Sequence, residues 1–381
     1  MTVSNSGQPP RGRGPREDPF AQPYRPTAAR PPGRGSPHPP PRNQPPGRNR
    51  PPPNRPAGRP QAPPRRRRPG RVLRRILLVL VLLLAGLAVY VELSLTRTDA
   101  LADYPDRVGN STGTNWLIVG SDSREALSEE EQDQLATGTV AGGRTDTIML
   151  LHIPFPFVGG GEPTLVSLPR DSSVPLPGSG ERVKLNSTYS TGGPQLLVQT
   201  VETVTGIHID HYAEIGFGGF AGIVDDIGGV EICLDEPISD PLADIDLPAG
   251  CQQLSGPQAL GYVRTRATPA GDLDRVERQR QFLGALLERA VSPAVLLNPF
   301  RLVPLVTGVP DALTVDNGDH VWNLARLGWT MRGIASGEVV TITVPIDGFE
   351  ELDNGSSAVS WDQEAASALF DALANDEPVP G

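Results

Sequence analysis

Cysteine occurs twice in this chain of 381 residues, histidine five times and lysine once, and aromatic residues make up only 5%. With Cys233 and Cys251 alone, no CxxC zinc pattern exists, and the scattered histidines form no HExxH helix. No Ser, His and Asp stand in a recognisable hydrolase motif, which argues against a serine hydrolase. Basic residues are also scarce over most of the length. The net charge of −10 averages two unlike polymers. Residues 1–75 hold 18 arginines and two acids, a charge of +16. The remainder carries 16 basic and 42 acidic residues, a charge of −26. A single soluble domain is excluded. So is a main body that tracks nucleic acid, which needs a net basic face.

Aliphatic residues are nearly missing from the start of the chain. Residues 1–71 are mainly Pro, Gly, Arg, Asn and Gln, with 22 of the 42 prolines in the first 75 positions. Such a segment buries too little apolar surface to offset its ordering entropy, so a disordered tail is expected. Its proline runs favour extended polyproline II stretches.

Seven arginines at positions 65–75 then give way to 16 uncharged residues, Ile76 to Val91. Counted from Val72, the apolar run would make a helix of ~30 Å, the thickness of a hydrocarbon core. A membrane-spanning helix over 72–92 is expected, with Tyr90 at the interface. A cleaved signal peptide is disfavoured, because such peptides total ~15–30 residues and here the basic region alone is far longer. The arginines place the tail in the cytoplasm and the body outside, a single-pass cell-membrane protein. Cys233 and Cys251 would then face an oxidising compartment. Bridged, they would contribute roughly 3 kcal/mol by loop closure. Two buried free thiols are the alternative.

After a linker over 93–114, short apolar runs alternate with helical stretches. Strands are expected at Trp116–Val119, Thr147–Ile153, Thr164–Leu168 and Val339–Val344. Helices are expected at Pro194–Val204, Phe217–Ile227, Gly256–Val263, Asp274–Ala290, Asp319–Ile334 and Trp361–Ala374. This interleaving is the mark of a layered α/β domain around one sheet.

Half the positive charge of the body falls in three arginine groups that flank strands or open helices. The segment Gly120-Ser-Asp-Ser-Arg124 puts Asp122 just past a strand, at the edge where open α/β sheets bind ligands. Arg144-Thr-Asp-Thr147 opens the next strand, and if it is extended Arg144 and Asp146 share a face. Ser167-Leu-Pro-Arg-Asp171 ends a third. These meet at one edge only if the middle strand is antiparallel, so a mixed sheet is expected. Carboxylates beside arginines suit a magnesium ion on a polyphosphate: hard oxygen ligands for the metal, forked donors for the remaining oxygens. Tyr262-Val-Arg-Thr-Arg266 puts Arg264 and Arg266 on one side if extended. Asp274 reads as a helix N-cap, with Arg275 and Arg278 adjacent one turn on.

Taken in order, GlySerAspSerArg, ArgThrAspThr, SerLeuProArgAsp, LysLeuAsn, AspAspIleGlyGlyVal, TyrValArgThrArg and ArgValGluArgGln resemble the LytR-CpsA-Psr family. The likeness covers residues 115–345, with 346–381 as an extension of the same domain. It implies an α/β/α sandwich with a pocket for a prenyl chain. It implies a phosphotransferase that moves a glycopolymer from a polyprenyl-pyrophosphate carrier onto peptidoglycan, close to membrane lipid. By that pattern Asp122 and Asp146 match magnesium ligands, with manganese as the alternative. Arg144, Arg170, Arg264, Arg266 and Arg278 match pyrophosphate-binding and catalytic arginines. Arg275 and Gln279 lie in the last motif, and Asp171 orients Arg170 or acts as a base. Two rival readings remain: a pyrophosphatase acting on the same lipid-linked glycan, or a non-catalytic, membrane-anchored wall-binding regulator. Lys184 either reaches a sugar phosphate or is an exposed loop lysine. The Asp225-Asp226 pair before Gly228-Gly229 reads as a helix end and turn.

Overall fold

A computed structural model describes residues 69–122, 145–155, 160–265 and 272–380, without the side chains of 69–72, 272–277 and 335. The expected tail therefore lies outside the described residues, apart from its last three positions. Helix α1 (Pro69–Ser94) contains the 22-residue segment Leu73–Ser94, long and apolar enough to cross a membrane, whose uncharged part Ile76–Val91 is largely exposed.

The body is built on a seven-stranded sheet. Its strands are β1 (Thr96–Thr98), β2 (Thr114–Ser121), β3 (Thr145–Ile153), β4 (Thr164–Leu168), β5 (His211–Gly216), β6 (Leu313–Asp316) and β7 (Val340–Thr343). The spatial order is β1-β6-β5-β2-β3-β4-β7. β2 runs antiparallel to β3 and parallel to β5, and β4 is again antiparallel to β3. The expected mixed sheet is present, and the start of β3 lies beside the ends of β2, β4 and β5.

The central strands read as near-continuous apolar runs because both faces are covered. One face packs Leu117, Val119, Leu150 and Val166 under α2 (Leu185–Thr205) and α8 (Gln363–Ala374). The other packs Trp116, Met149, Leu151 and Leu165 under α5 (Asp272–Ala290) and α7 (Val321–Met331). Successive residues thus feed opposite layers of an α/β/α sandwich. A smaller apolar cluster joins α3 (Phe217–Asp226), α4 (Gly256–Arg264) and the paired strands Val230–Leu234 and Gly250–Leu254. Cys233 and Cys251 face each other across that pair and form a disulfide, so the free-thiol alternative is set aside.

Some expectations shift. α2 starts nine residues before Pro194 and is broken at Gly192–Gly193, where Gly193 takes a positive φ of 67°. The two glycines are non-helical, so the expected helix from Pro194 is the second of two segments, and the first is held by burial of Leu185 and Thr188. β1 lies inside the stretch read as linker, too short to show periodicity. β5, β6 and α6 (Pro299–Ala312) were not foreseen. The chain end returns to the sheet: Asp376 Oδ1 lies 2.9 Å from His152 Nε2, and the other ring nitrogen meets Asn115 at 2.8 Å.

Candidate active site

The register of β2 and β3 slips between Gly120, which pairs with Thr147, and Ser121, which pairs with Thr145. Asp146 is left as the bulged residue. A bulge re-aims its side chain, and strict alternation fails here: Thr145 is buried while Asp146 and Thr147 are both half-buried. The common face expected for Arg144 and Asp146 rests on that alternation, and Arg144 itself lies outside the described residues. Asp122 follows directly on the end of β2, at the same edge.

Arg170, just past β4, donates through Nη1 to Asp146 in a short ion pair and through Nε to Asp171 at 3.3 Å. Lys184 Nζ donates to the other oxygen of Asp171 at 3.1 Å. All four side chains are half-buried. Lys184 is therefore part of the cluster and not a loop bystander. Burial alone would raise the Asp171 pKa. The charge of Arg170 and the bond from Lys184 outweigh it and hold the carboxyl below its ordinary value. The backbone of this turn is fixed from both sides: the Arg170 carbonyl accepts from Asn186 N at 2.9 Å and the Asp171 carbonyl from Val359 N at 2.8 Å. Buried Ser172 accepts from Trp361 Nε1 at 2.8 Å.

A second group lies at the ends of β5 and α4. The condition that would put Arg264 and Arg266 on one side is not met at Arg264: the expected helix continues one residue further, through Arg264, before Thr265 turns extended. Ser255 N donates to Gln258 at 3.1 Å and Pro257 occupies the first turn, both favouring helix here. Asp225 accepts from Gly256 N at 2.8 Å, so the helix end read at Asp225–Asp226 also anchors α4. The Arg264 guanidinium stands over the Phe217 ring at 4.9 Å. Buried Arg278 donates to the Thr265 carbonyl at 2.6 Å, and Gln279 to the Val263 carbonyl at 3.3 Å. Both hold the end of α4 that presents Arg264. Helix α5 begins at Asp272, so Asp274 lies in its first turn and is not the cap; the dipole accommodates acids at both positions. Arg275 lies in that first helical region, its side chain undescribed, and Arg266 lies outside the described residues.

An apolar cavity of about 160 Å³ lies beside these groups, lined by Thr147, which follows Asp146, and by Phe217, the ring under Arg264. It reaches the sheet edge at Gly120, Thr147 and Phe217 and runs back between Leu260, Leu283 and Leu286. Leu283 and Leu286 of α5 supply one wall. Sequence reasoning missed Phe217 and the bond from Thr265 to Asp240 (2.6 Å), since partners 47 and 25 residues away leave no local pattern.

Among the described residues no cluster of three or more His, Cys, Asp or Glu forms a ready-made metal cage. Asp122 and Asp146 still fit a magnesium ion, which binds through one or two carboxylates plus phosphate oxygens and waters.

The chain thus combines a mixed sheet between helical layers with arginines and carboxylates at one sheet edge and an apolar cavity beside them. Residues 94–375 match the model of the LytR_cpsA_psr family, and the chain belongs to that family. It is 52% identical over 299 residues to the probable cell wall biosynthesis protein LcpB of Corynebacterium glutamicum, covering 78% of this chain and 69% of that one. To the cell wall biosynthesis protein LcpA of the same organism it is 33% identical over 346 residues, 79% of this chain and 65% of that one. A solved LytR-Csp2A-Psr enzyme from Actinomyces oris superposes with a TM-score of 0.56 at 27% identity, covering 74% of this chain and 96% of that one.

Proposed function

We propose that this chain is a membrane-anchored phosphotransferase of cell wall assembly, which joins a glycopolymer from a polyprenyl-pyrophosphate carrier to peptidoglycan through a phosphodiester. The observation that carries this reading is one apolar cavity lined by Thr147, next to Asp146 of the Asp146–Arg170–Asp171–Lys184 cluster, and by Phe217, the ring under Arg264. A prenyl chain suits the cavity and a pyrophosphate suits the cationic rim. The names of the two Corynebacterium relatives, both cell wall biosynthesis proteins, support the same reading.

In the reaction, an acceptor sugar hydroxyl oxygen bonds to the glycan-side phosphorus. The bond from that phosphorus to the bridging oxygen breaks, prenyl phosphate leaves, and the hydroxyl proton passes to water. Such transfer depends on positioning and charge neutralisation more than on covalent protein chemistry. Arg170 and Arg264 bind the phosphate oxygens and stabilise the charge that grows on them. Asp171, held ionised between two cations, is a weak base, and its role is to orient Arg170 and Lys184. Asp122 and Asp146 would hold magnesium, which supplies further neutralisation of the pyrophosphate. Arg278 and Gln279 position Arg264 through the end of α4. Replacing Arg264 or Asp146 with Ala in cells should lower wall glycopolymer content while the protein remains in the membrane fraction. Unchanged glycopolymer would favour a non-catalytic regulator instead.

A further inference from the structure

Helix α6 is apolar on its outside as well as its inside. Phe300 is 88% exposed and Val303 58%, and just before the helix Leu297 is 82% exposed. Over residues 293–312 the only charges are Arg301 and Asp311. The Arg301 guanidinium lies against Gly228 in the turn after α3, which leaves the outer face uncharged between Leu297 and Val303. A soluble domain rarely leaves such a face in water.

The contacts of α1 say what covers it. Leu84, Leu87 and Val91 of α1 line a shared groove with Leu305, Val306 and Val309 of α6. The first charge after the apolar stretch is Glu92. It accepts from Arg97 at 2.5 Å, from His320 Nδ1 at 2.8 Å and from Val321 N at 3.0 Å. This polar knot marks where the span leaves the hydrocarbon. Leu84 to Val91 lie inward of it, over ~10 Å of helix at ~1.5 Å per residue. Because α6 packs at that depth, it sits at the level of the outer leaflet and not above it. Trp322, in the first turn of α7 beside the knot, is 62% exposed, its ring tilted against His320 at 4.3 Å between ring centres. An exposed tryptophan at that level is what a membrane–water boundary selects.

We propose that the segment Pro293–Ala312 is embedded in the outer leaflet, so that the body is held by a second, monotopic contact besides its span. This rests on the reading of α1 as a membrane span. An apolar element of this kind lies at the interface and binds by the apolar area it buries. The contact fixes the rotation of the body about α1, where a lone span would leave it free.

The full-length chain in liposomes tests this with single cysteines carrying an environment-sensitive fluorophore. Probe positions are Phe300→Cys and Leu297→Cys on the proposed face and Leu80→Cys in the span. Ser367→Cys, exposed on α8 in the opposite layer, is the aqueous reference. The expected result is a blue shift at Leu297 and Phe300, with emission lost to lipids brominated near the headgroup and retained against iodide. Leu80 should lose emission to deep bromines, and Ser367 only to iodide. Iodide quenching of both Leu297 and Phe300, with Leu80 still quenched by lipid, overturns the leaflet contact and leaves the anchor intact. Iodide quenching of Leu80 as well overturns the anchor and this proposal with it.

Discussion

Lys184, the only lysine of the chain, donates to Asp171 at 3.1 Å while Arg170 takes the other carboxylate oxygen at 3.3 Å. One carboxylate thereby ties together two cations from the ends of different strands. Its pKa is depressed, so its contribution to stability is present above the ordinary carboxylate range and is lost as pH falls through the lower folded value. Lys184→Ala removes one of the two stabilising charges and raises that value. The acid limb of the pH–rate profile should move to higher pH, and Lys184→Arg should restore it in part. An unmoved acid limb would remove Asp171 from the rate-controlling ionisations.

Asp146→Asn keeps the size of the side chain and removes its charge. Arg170 then loses its short ion pair, and the proposed magnesium site loses one of two carboxylates. Transfer should fall by about 10²–10³, the usual cost of one preorganised charge interaction. The half-saturating magnesium concentration should rise in the same variant. A rate loss with unchanged magnesium dependence would assign Asp146 to Arg170 alone.

Phe217→Leu keeps the apolar wall and removes the ring beneath Arg264. A cation–π contact at a partly exposed site contributes about 0.5–1 kcal/mol, so KM for the lipid-linked donor should rise about two- to fivefold with little change in kcat. Steady-state kinetics decide it; a pure kcat effect would place Phe217 in another role.

Leu283→Glu puts a charge into the wall of the cavity. Activity on a long-chain prenyl donor should fall sharply, because an unpaired carboxylate in an apolar site is costly. Activity on a donor truncated to one isoprene unit should change far less. Equal losses on both donors would mean that the prenyl chain binds elsewhere.

The Cys233–Cys251 bridge joins strands already paired in the fold. Replacing both with Ser should lower unfolding stability by about 2–4 kcal/mol, mainly by freeing the unfolded chain. Denaturant melts measure this, and kinetics at permissive temperature should be unchanged, since neither sulfur lies at the sheet edge.

The sheet was legible where strands are long and buried on both faces, as in β2, β3 and β4, and their shared edge followed from the placement of three motifs. β1 and β6 were illegible because three or four residues show no period and each carries a charge, Arg97 or Asp316, whereas four-residue β7 is all Val, Thr and Ile. The contacts of the arginines were not legible. Arg278 donates to the Thr265 backbone, a bond between a helix and a loop that no spacing rule encodes. The Asp146 bulge was hidden for the same reason: it arises from pairing with β2 and not from the residues of β3. Lys184 stood out as a lone lysine, but only the fold shows that its partner is Asp171.

The central claim is transfer, and one assay addresses it most directly. Full-length protein in liposomes is given polyprenyl-pyrophosphate-linked glycan, labelled in the glycan, with soluble peptidoglycan oligomers and magnesium. The account predicts label in a peptidoglycan conjugate that releases glycan on phosphodiester cleavage, with one prenyl phosphate formed per conjugate. Free glycan phosphate without conjugate would contradict it and make the protein a pyrophosphatase.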